Sequence, residues 1–229
     1  MNSEDIKQEV YINDIYRLRT TPFERSPRNI IDIGANVGWF TKLVFDSLRG
    51  CSIYSFELDQ ENFNQIEQNL DIKNYPFLLK KNNVNLFNKA VIGKNRFTNY
   101  WKHDTNIGGH KPIYQGSDSY ISEERFNFEK DLKKGTLIEE VPDMITLPDI
   151  LSENNLDFID FLKLDCEGSE YEILDYAFEK NISKKILNMA LEIHGRKTED
   201  YKRMLEKLSL NFDTVIDKGN ILYAKNFIK

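Results

Sequence analysis

One short stretch near the amino terminus constrains the fold more than any other part of the chain. The run Ile30–Ile33 is apolar except for Asp32, and β-branched runs are typical of a strand that is buried on both faces. Gly34 and Gly38 follow and leave the backbone bare, either where a ligand comes close or where a helix and a strand touch. Asp32 lies at the carboxyl end of this strand, where open α/β sheets bind ligands, and its carboxylate can hold a cation or a ligand hydroxyl.

Strand and helix patterns alternate along the rest of the chain. Apolar spacing predicts helices over 3–19, 37–48, 59–71, 147–153, 171–178 and 198–208. Strands are predicted over 51–57, 84–92, 95–102, 144–146, 158–165 and 186–193, and a hairpin over 212–216 and 221–227. This order predicts an α/β fold with a mostly parallel sheet, helices on both faces and an antiparallel C-terminal hairpin strand at one edge.

The second predicted strand ends on an acidic residue, Glu57, about 20 positions after the glycine turn. At that spacing a carboxylate can accept hydrogen bonds from both ribose hydroxyls of an adenosine ligand. A solvated charge at a strand end is the alternative, but the preceding turn favours a nucleoside cofactor. Asn88, near the end of the third predicted strand, is a plausible further contact.

Composition narrows the class of protein. The 229 residues carry a formal net charge of −6, which disfavours a broad nucleic-acid-binding surface. No apolar run reaches the roughly 20 residues of a membrane span, and the polar start of the chain does not resemble a secretory signal. The two cysteines, Cys51 and Cys166, do not suggest a disulfide scaffold. We expect one domain over 1–229, with a helix and connector at 1–28, in the reducing cytoplasm.

The least regular stretch runs from 104 to 140 and contains Gly109 and His110. Long irregular segments in compact domains are usually functional loops. We predict a substrate-covering insertion here, with Gly109 and His110 as substrate contacts; a passive loop is the alternative.

Acidic residues follow two further predicted strands. Asp165 and Glu167 end the strand over 158–165, and Glu192 and His194 end the strand over 186–193. Because the carboxyl ends of parallel strands meet at one edge of the sheet, we expect these side chains to converge near Asp32.

The motifs at these strand ends resemble those of the FkbM-type methyltransferases. The similarity lies in Asp32-Ile33-Gly34-Ala35-Asn36-Val37-Gly38, in Phe56-Glu57 and above all in Leu162-Lys163-Leu164-Asp165-Cys166-Glu167-Gly168-Ser169-Glu170. Weaker likenesses are Asn88-Lys89-Ala90-Val91 and Leu191-Glu192-Ile193-His194, so that the resemblance spans about 30–195. It implies a Rossmann-like, doubly wound domain that uses S-adenosylmethionine to methylate a hydroxyl of a small acceptor, often a sugar.

The resemblance also implies roles for the cofactor-binding residues. Gly34, Ala35, Asn36 and Gly38 would let the backbone approach the methionine end, with Asp32 near its ammonium and Asp165 beside the cofactor. Glu57 would hold the ribose, and Leu58 and Asn88 would flank the adenine. Glu167 is a predicted substrate contact.

The acceptor hydroxyl has a high pKa and benefits from a base. His194 is the candidate, because an unperturbed imidazole accepts a proton near neutral pH, with Asp165 and Glu192 as catalytic neighbours; a buried structural histidine is the alternative. Asp165, Glu192 and His194 also offer ligands for a Mg²⁺- or Mn²⁺-like ion that would polarise the hydroxyl.

Two other classes of protein share part of this pattern. An NAD-dependent oxidoreductase needs Gly-x-Gly-x-x-Gly, and here no glycine lies two positions after Gly34. A non-catalytic binding module on a methyltransferase fold is the second, since a fold alone does not give function. A nucleic-acid methyltransferase is disfavoured by the acidic balance.

Overall fold

The computed structural model describes residues 2–70, 82–107, 109–114, 134–196 and 198–228. The strands are β1 (Asn29–Ile33), β2 (Ser52–Phe56), β3 (Asn83–Phe87), β4 (Lys89–Ile92), β5 (Phe97–His103), β6 (Lys111–Tyr114), β7 (Gly135–Ile138), β8 (Asp143–Thr146), β9 (Phe161–Leu164), β10 (Asn188–Glu192), β11 (Thr214–Lys218) and β12 (Ile221–Lys225). The α-helices are α1 (Ser3–Ile6), α2 (Trp39–Ser47), α3 (Gln60–Leu70), α4 (Leu147–Glu153), α5 (Glu170–Glu179) and α6 (Glu199–Asn211). A π-helix covers Lys7–Ile12, and 3₁₀ helices cover Leu18–Thr20 and Ile182–Lys185.

A seven-stranded sheet in the order β11-β12-β10-β9-β1-β2-β3 forms the centre of the protein. The β1 strand pairs in parallel with both β2 and β9, and β9 pairs in parallel with β10. The β11–β12 hairpin joins β10 through antiparallel pairing. The predicted fold class is therefore confirmed, and the carboxyl ends of β10, β9, β1 and β2 lie along one edge.

Helices cover both faces of this sheet because each presents one apolar side. On one face, α2, α3 and the N-terminal segment pack through residues such as Val10, Leu43 and Ile66. On the other face, α4, α5 and α6 pack through residues such as Ile150 and Leu174. Strand β1 has isoleucines pointing to both faces of the sheet, interrupted only by Asp32. It therefore requires an apolar layer on each face.

The third predicted strand, over 84–92, is in fact two strands in different sheets. The chain leaves the main sheet at Asn88, whose side-chain amide donates to the backbone carbonyls of Glu57 (2.9 Å) and Leu58 (3.2 Å). Beyond this point β4 pairs with β8 in a two-stranded sheet. A run of apolar residues does not reveal such a break, because both strands are equally apolar.

The predicted leading helix is shorter than 3–19. The α- and π-helical turns end at Ile12, and the chain then turns through residues with positive φ at Asp14 (51°) and Arg17 (57°) before the short 3₁₀ helix Leu18–Thr20. The Asp14 carboxylate accepts from the backbone amides of Leu18 and Arg19, each at 2.9 Å. These contacts stabilise the turn and end the helical direction that the apolar spacing suggested.

The predicted insertion over 104–140 is described only in part. Its residues 111–114 and 135–138 form β6 and β7, which pair with β5 in a three-stranded antiparallel sheet; the stretch 115–133 lies outside the described residues. Across the described part of the chain, no helix combines the length and apolarity needed to cross a bilayer.

Candidate functional site

A cavity of about 220 Å³ opens at the carboxyl edge of β10, β9, β1 and β2. Strand-end residues supply its floor, the N-terminal segment covers one end, and the loop between β5 and β6 covers the other. The residues that line it are Ile6, Glu9, Val10, Ile15, Tyr16, Gly34, Ala35, Asn36, Trp39, Phe40, Glu57, Leu58, Asn62, Asn106, Ile107, His110, Lys163, Asp165, Cys166, Glu167, Glu192, His194 and Asn220. This is the position at which open α/β sheets bind ligands.

The cavity brings together most of the predicted site residues. Those that line it are Gly34, Ala35, Asn36, Glu57, Leu58, His110, Asp165, Glu167, Glu192 and His194. Four predicted residues are described but do not line it: Asp32, Gly38, Asn88 and Gly109. Asn88 fixes the backbone after β2, and the Gly109 amide donates to the Asn106 carbonyl at 3.0 Å.

The two glycines of the turn are required by packing between backbones. A Cβ atom on Gly34 would lie 1.8 Å from the carbonyl oxygen of Asp165, and one on Gly38 would lie 2.8 Å from Cγ2 of Ile66. Both residues also have positive φ, 75° and 89°. Gly38 thus allows the start of α2 to pack against α3. Gly34 allows close contact with the end of β9 and also faces the cavity.

Glu57 is held rigidly at the end of β2 by backbone amides. Its Oε2 accepts from the amide of Asn36 at 2.7 Å, and its Oε1 accepts from the amide of Asp59 at 2.8 Å. Burial raises the pKa of Glu57 to about 7 despite these bonds. Because a carboxylate oxygen accepts two hydrogen bonds, each oxygen retains capacity for a donor from the cavity.

Lys163 is a buried ammonium at the centre of the site. Its Nζ lies 3.3 Å from Oδ1 of Asp32 and 3.7 Å from Oδ2 of Asp165, and it donates to the Gly34 carbonyl at 2.5 Å. Burial disfavours the charge, but the two carboxylates outweigh burial and raise the pKa of Lys163. Asp32, which also accepts from Thr41 at 2.8 Å, therefore acts on the site through Lys163.

Tyr16 reaches the site from the N-terminal segment. Its hydroxyl donates to Oδ2 of Asp165 at 2.7 Å and lies 3.3 Å from Oε2 of Glu192. Burial and the two carboxylates raise the pKa of Tyr16 well above its ordinary value. Tyr16 thus stays neutral, and its hydroxyl is a hydrogen-bond donor placed beside two acids, Asp165 and Glu192.

His194 lies between two carboxylates. Its Nδ1 is 3.1 Å from Oε1 of Glu170, and its Nε2 is 3.6 Å from Oε2 of Glu167. Burial opposes protonation, but Glu170, Glu167 and Asp165 raise the pKa of His194 to about 10. The imidazole is therefore protonated at neutral pH, whereas its predicted role as base assumed an unperturbed ring.

Two carboxyls of the cavity have a pKa suited to proton transfer near neutrality. Burial raises the pKa of Glu167 to about 7, and burial together with Asp165 raises that of Glu192 to about 7. Glu167 also has a positive φ of 53°, which a residue other than glycine or asparagine adopts only at a cost in free energy.

The predicted metal ligands are not grouped in the way that the sequence suggested. Among the described residues, potential ligand atoms of Asp165, Glu170 and His194 lie within 4.8 Å of one another, while Glu192 is next to Tyr16 instead. The His194 proton and the Lys163 ammonium already neutralise this group. A divalent ion would have to displace that proton, so the donor set as it stands fits a metal poorly.

Three residues of the site had no role predicted from the sequence. Lys163 carries a signal in retrospect, because a single charge inside the apolar strand β9 must be paired when it is buried. Glu170, which accepts from the amide of Cys166 at 2.8 Å, resembles an ordinary first-turn acid. Tyr16 carries no signal at all, since its partners Asp165 and Glu192 lie more than a hundred positions away.

Both the sequence and the fold resemble those of known methyltransferases. The model of the family described as methyltransferase FkbM domain matches residues 32–214. None of the curated proteins compared with the chain matches it significantly.

The fold is similar to that of a solved methyltransferase structure. The crystal structure of methyltransferase FkbM from Methylobacillus flagellatus KT is 18% identical, with a TM-score of 0.54 over 93% of this chain and 47% of that chain. The N-terminal domain of human METTL16 in complex with SAH is 14% identical, with a TM-score of 0.47 over 100% of this chain and 73% of that chain. This chain therefore spans about half the length of the Methylobacillus protein.

Proposed function

Because this chain belongs to the FkbM methyltransferase domain family, we propose that it is an S-adenosylmethionine-dependent O-methyltransferase. Its acceptor is a small molecule, a sugar or a sugar-containing metabolite, that offers a hydroxyl. The proposal is carried by one observation, the charge of the cavity.

Acidic side chains outnumber basic ones around the cavity. The acids are Glu9, Glu57, Asp165, Glu167 and Glu192, whereas the cations are Lys163 and the protonated His194. Burial raises the pKa of three of the acids, Glu57, Glu167 and Glu192, to about 7, and the nearby cations do not offset this effect of burial. A ligand that carries ammonium and sulfonium groups supplies positive charge, whereas the pyrophosphate of NAD would be repelled.

The residues on the β1 and β2 side would hold the cofactor. The backbone of Gly34, Ala35 and Asn36 faces the cavity, and the free lone pairs of Glu57 suit ribose hydroxyls. Leu58 offers an apolar wall for adenine. When bound, the cofactor supplies a methyl group that is already activated, so the protein has mainly to align and desolvate the acceptor.

The residues on the β9 and β10 side would bind the acceptor and take its proton. Glu192 has a pKa suited to accepting a proton near neutral pH, and Tyr16 orients it from 3.3 Å. Glu167 would accept a hydrogen bond from an acceptor hydroxyl. The His194 imidazolium is a positioning group that holds Glu167 through a 3.6 Å contact, and Asp165 holds Lys163 and Tyr16.

Calorimetric titration with S-adenosylhomocysteine, and separately with NAD, tests the proposal. We expect binding of S-adenosylhomocysteine, no binding of NAD and no requirement for Mn²⁺. Transfer of a labelled methyl group to a panel of sugars then tests the acceptor class. Binding of NAD alone would overturn the proposal, and cofactor binding with no turnover on any hydroxyl acceptor would favour a non-catalytic binding module.

A further inference from the structure

His110 is buried in the wall of the cavity and has no hydrogen-bond partner in the described part of the chain. Its side chain is 6% exposed, and neither Nδ1 nor Nε2 has a partner among the described residues. Buried polar atoms are nearly always paired, and an unpaired one in a cavity wall is a place where a ligand completes the pairing.

The loop that carries His110 is fixed to the cofactor side of the site. The Ile107 carbonyl accepts from the side-chain amide of Asn36 at 2.7 Å and from that of Asn62 at 2.9 Å. Asn36 belongs to the turn after β1, and Asn62 belongs to α3. The backbone three residues before His110 is therefore held by the turn after β1 and by α3.

His110 lies on the far side of the cavity from the acids of β10. Its Nδ1 is 3.9 Å from Oδ2 of Asp59, two residues after Glu57. β1 and β9 separate β2 from β10, and at about 4.8 Å between strands the two ends are roughly 14 Å apart. His110 therefore lies nearer to the Glu57 end of the cavity than to the Glu192 end.

The surroundings of His110 set its tautomer. Asp59 would favour an imidazolium, but Lys102 at 2.8 Å and the Tyr100 hydroxyl at 3.2 Å already bind that carboxylate. Burial lowers the pKa of His110, and the other charged neighbours, Glu61 and His103, do not reverse this. A neutral ring with its proton on Nδ1, facing Asp59, leaves Nε2 as a hydrogen-bond acceptor.

We propose that Nε2 of His110 accepts a hydrogen bond from the exocyclic 6-amino group of the cofactor's adenine. His110 thus selects adenine and belongs to the cofactor half of the site, not to the acceptor contacts that the sequence predicted. Leu58 and Ile107, which line the same end of the cavity, supply the apolar contact that a purine ring needs. This inference rests on the proposed function.

The test compares S-adenosylhomocysteine with its analogue in which hydrogen replaces the 6-amino group. Titration calorimetry is run on the wild type, His110→Phe, His110→Gln and the control Asp104→Asn, an exposed change in the same loop. The wild type and the control should prefer the amino compound about tenfold, the value of one hydrogen bond. His110→Phe should abolish this preference, and His110→Gln, which keeps an acceptor oxygen, should retain part of it.

The outcomes separate this inference from the proposed function. If the wild type binds neither compound, the proposed function fails. If the wild type binds both compounds equally, or if His110→Phe keeps the preference, the inference on His110 is wrong while the proposed function stands. Circular dichroism of each variant establishes folding. If His110→Phe does not fold, the preference of the wild type and of His110→Gln for the 6-amino compound still tests the inference.

Discussion

The two ends of the cavity are held by different kinds of contact. At the β1 and β2 end, backbone amides hold Glu57, and the turn is fixed by the close approach of Gly34 to β9. At the β9 and β10 end, charged side chains hold one another, with Lys163 between Asp32 and Asp165. Backbone contacts follow from local motifs, whereas a network of charges depends on residues that meet only in the folded chain. At the first end the pKa of Glu57 is strongly shifted, whereas at the second end those of Glu167, Glu192 and His194 are. The second end should therefore respond more strongly to changes of pH.

Loss of the central cation gives the largest expected effect. Lys163→Met leaves Asp32 buried without its ammonium, and breaking a buried ion pair costs about 3–5 kcal/mol of unfolding free energy. The control Lys42→Met removes a more exposed pair, Lys42–Asp46 at 3.1 Å, and should cost under about 0.5 kcal/mol. Urea denaturation measures both. Equal losses would show that the charge network does not stabilise its end of the cavity.

The protonated His194 should make stability depend on pH. Its folded pKa of about 10 lies above the ordinary value of 6.5. The stabilisation is complete below pH 6.5 and is lost as the pH rises towards 10. Between pH 7 and pH 9 we expect a loss of about 2 kcal/mol. Thermal denaturation across this pH range measures the loss, and His194→Gln should flatten the dependence of stability on pH. If His194→Gln shows the same pH dependence as the wild type, other groups cause it.

Removal of the Glu57 carboxylate tests the end that is held by backbone amides. Glu57→Ala leaves the amides of Asn36 and Asp59 without their acceptor and removes the proposed ribose contact. We expect about 30-fold weaker binding of S-adenosylhomocysteine in calorimetry, as for loss of a hydrogen bond to a charged group. Glu57→Gln keeps one acceptor oxygen and should lose less affinity. Unchanged affinity in Glu57→Ala would contradict the assignment.

The smallest effect is expected from the Tyr16 hydroxyl. Tyr16→Phe removes the donor to Asp165 and should lower the unfolding free energy by about 1.5 kcal/mol. Tyr11→Phe is a matched control, because its hydroxyl donates to Asp46 at 2.8 Å on a more exposed surface, and should cost under about 0.5 kcal/mol. Urea denaturation at one pH compares them. If Tyr11→Phe lowers the unfolding free energy as much as Tyr16→Phe does, the Tyr16 hydroxyl gives no special stabilisation to the buried acids.

The contrast between the two ends also explains which parts of the fold and of the site could be predicted from the sequence. The β1 turn, the acid at the end of β2 and the C-terminal hairpin have local signals, and the structure has the turn, the acid and the hairpin where they were predicted. The break between β3 and β4 at Asn88 has no local sequence signal, because it depends on hydrogen bonds to the carbonyls of a neighbouring loop. The protonation state of His194 could not be predicted from the sequence either, because its partner Glu170 lies in a different element, the helix α5.

The contact between Tyr16 and Asp165 has a consequence for the limits of the family. Sequence similarity to the family begins at residue 32, yet the hydroxyl that separates the acids of β9 and β10 comes from residue 16. The family match, residues 32–214, is thus shorter than the stretch of chain that forms the site, because that stretch includes Tyr16. A chimera joined at residue 32 would keep every family motif and still require a new neutral donor for this pair. A change in the segment before residue 32 can therefore alter the charge pairing between β9 and β10 while residues 32–214 stay the same.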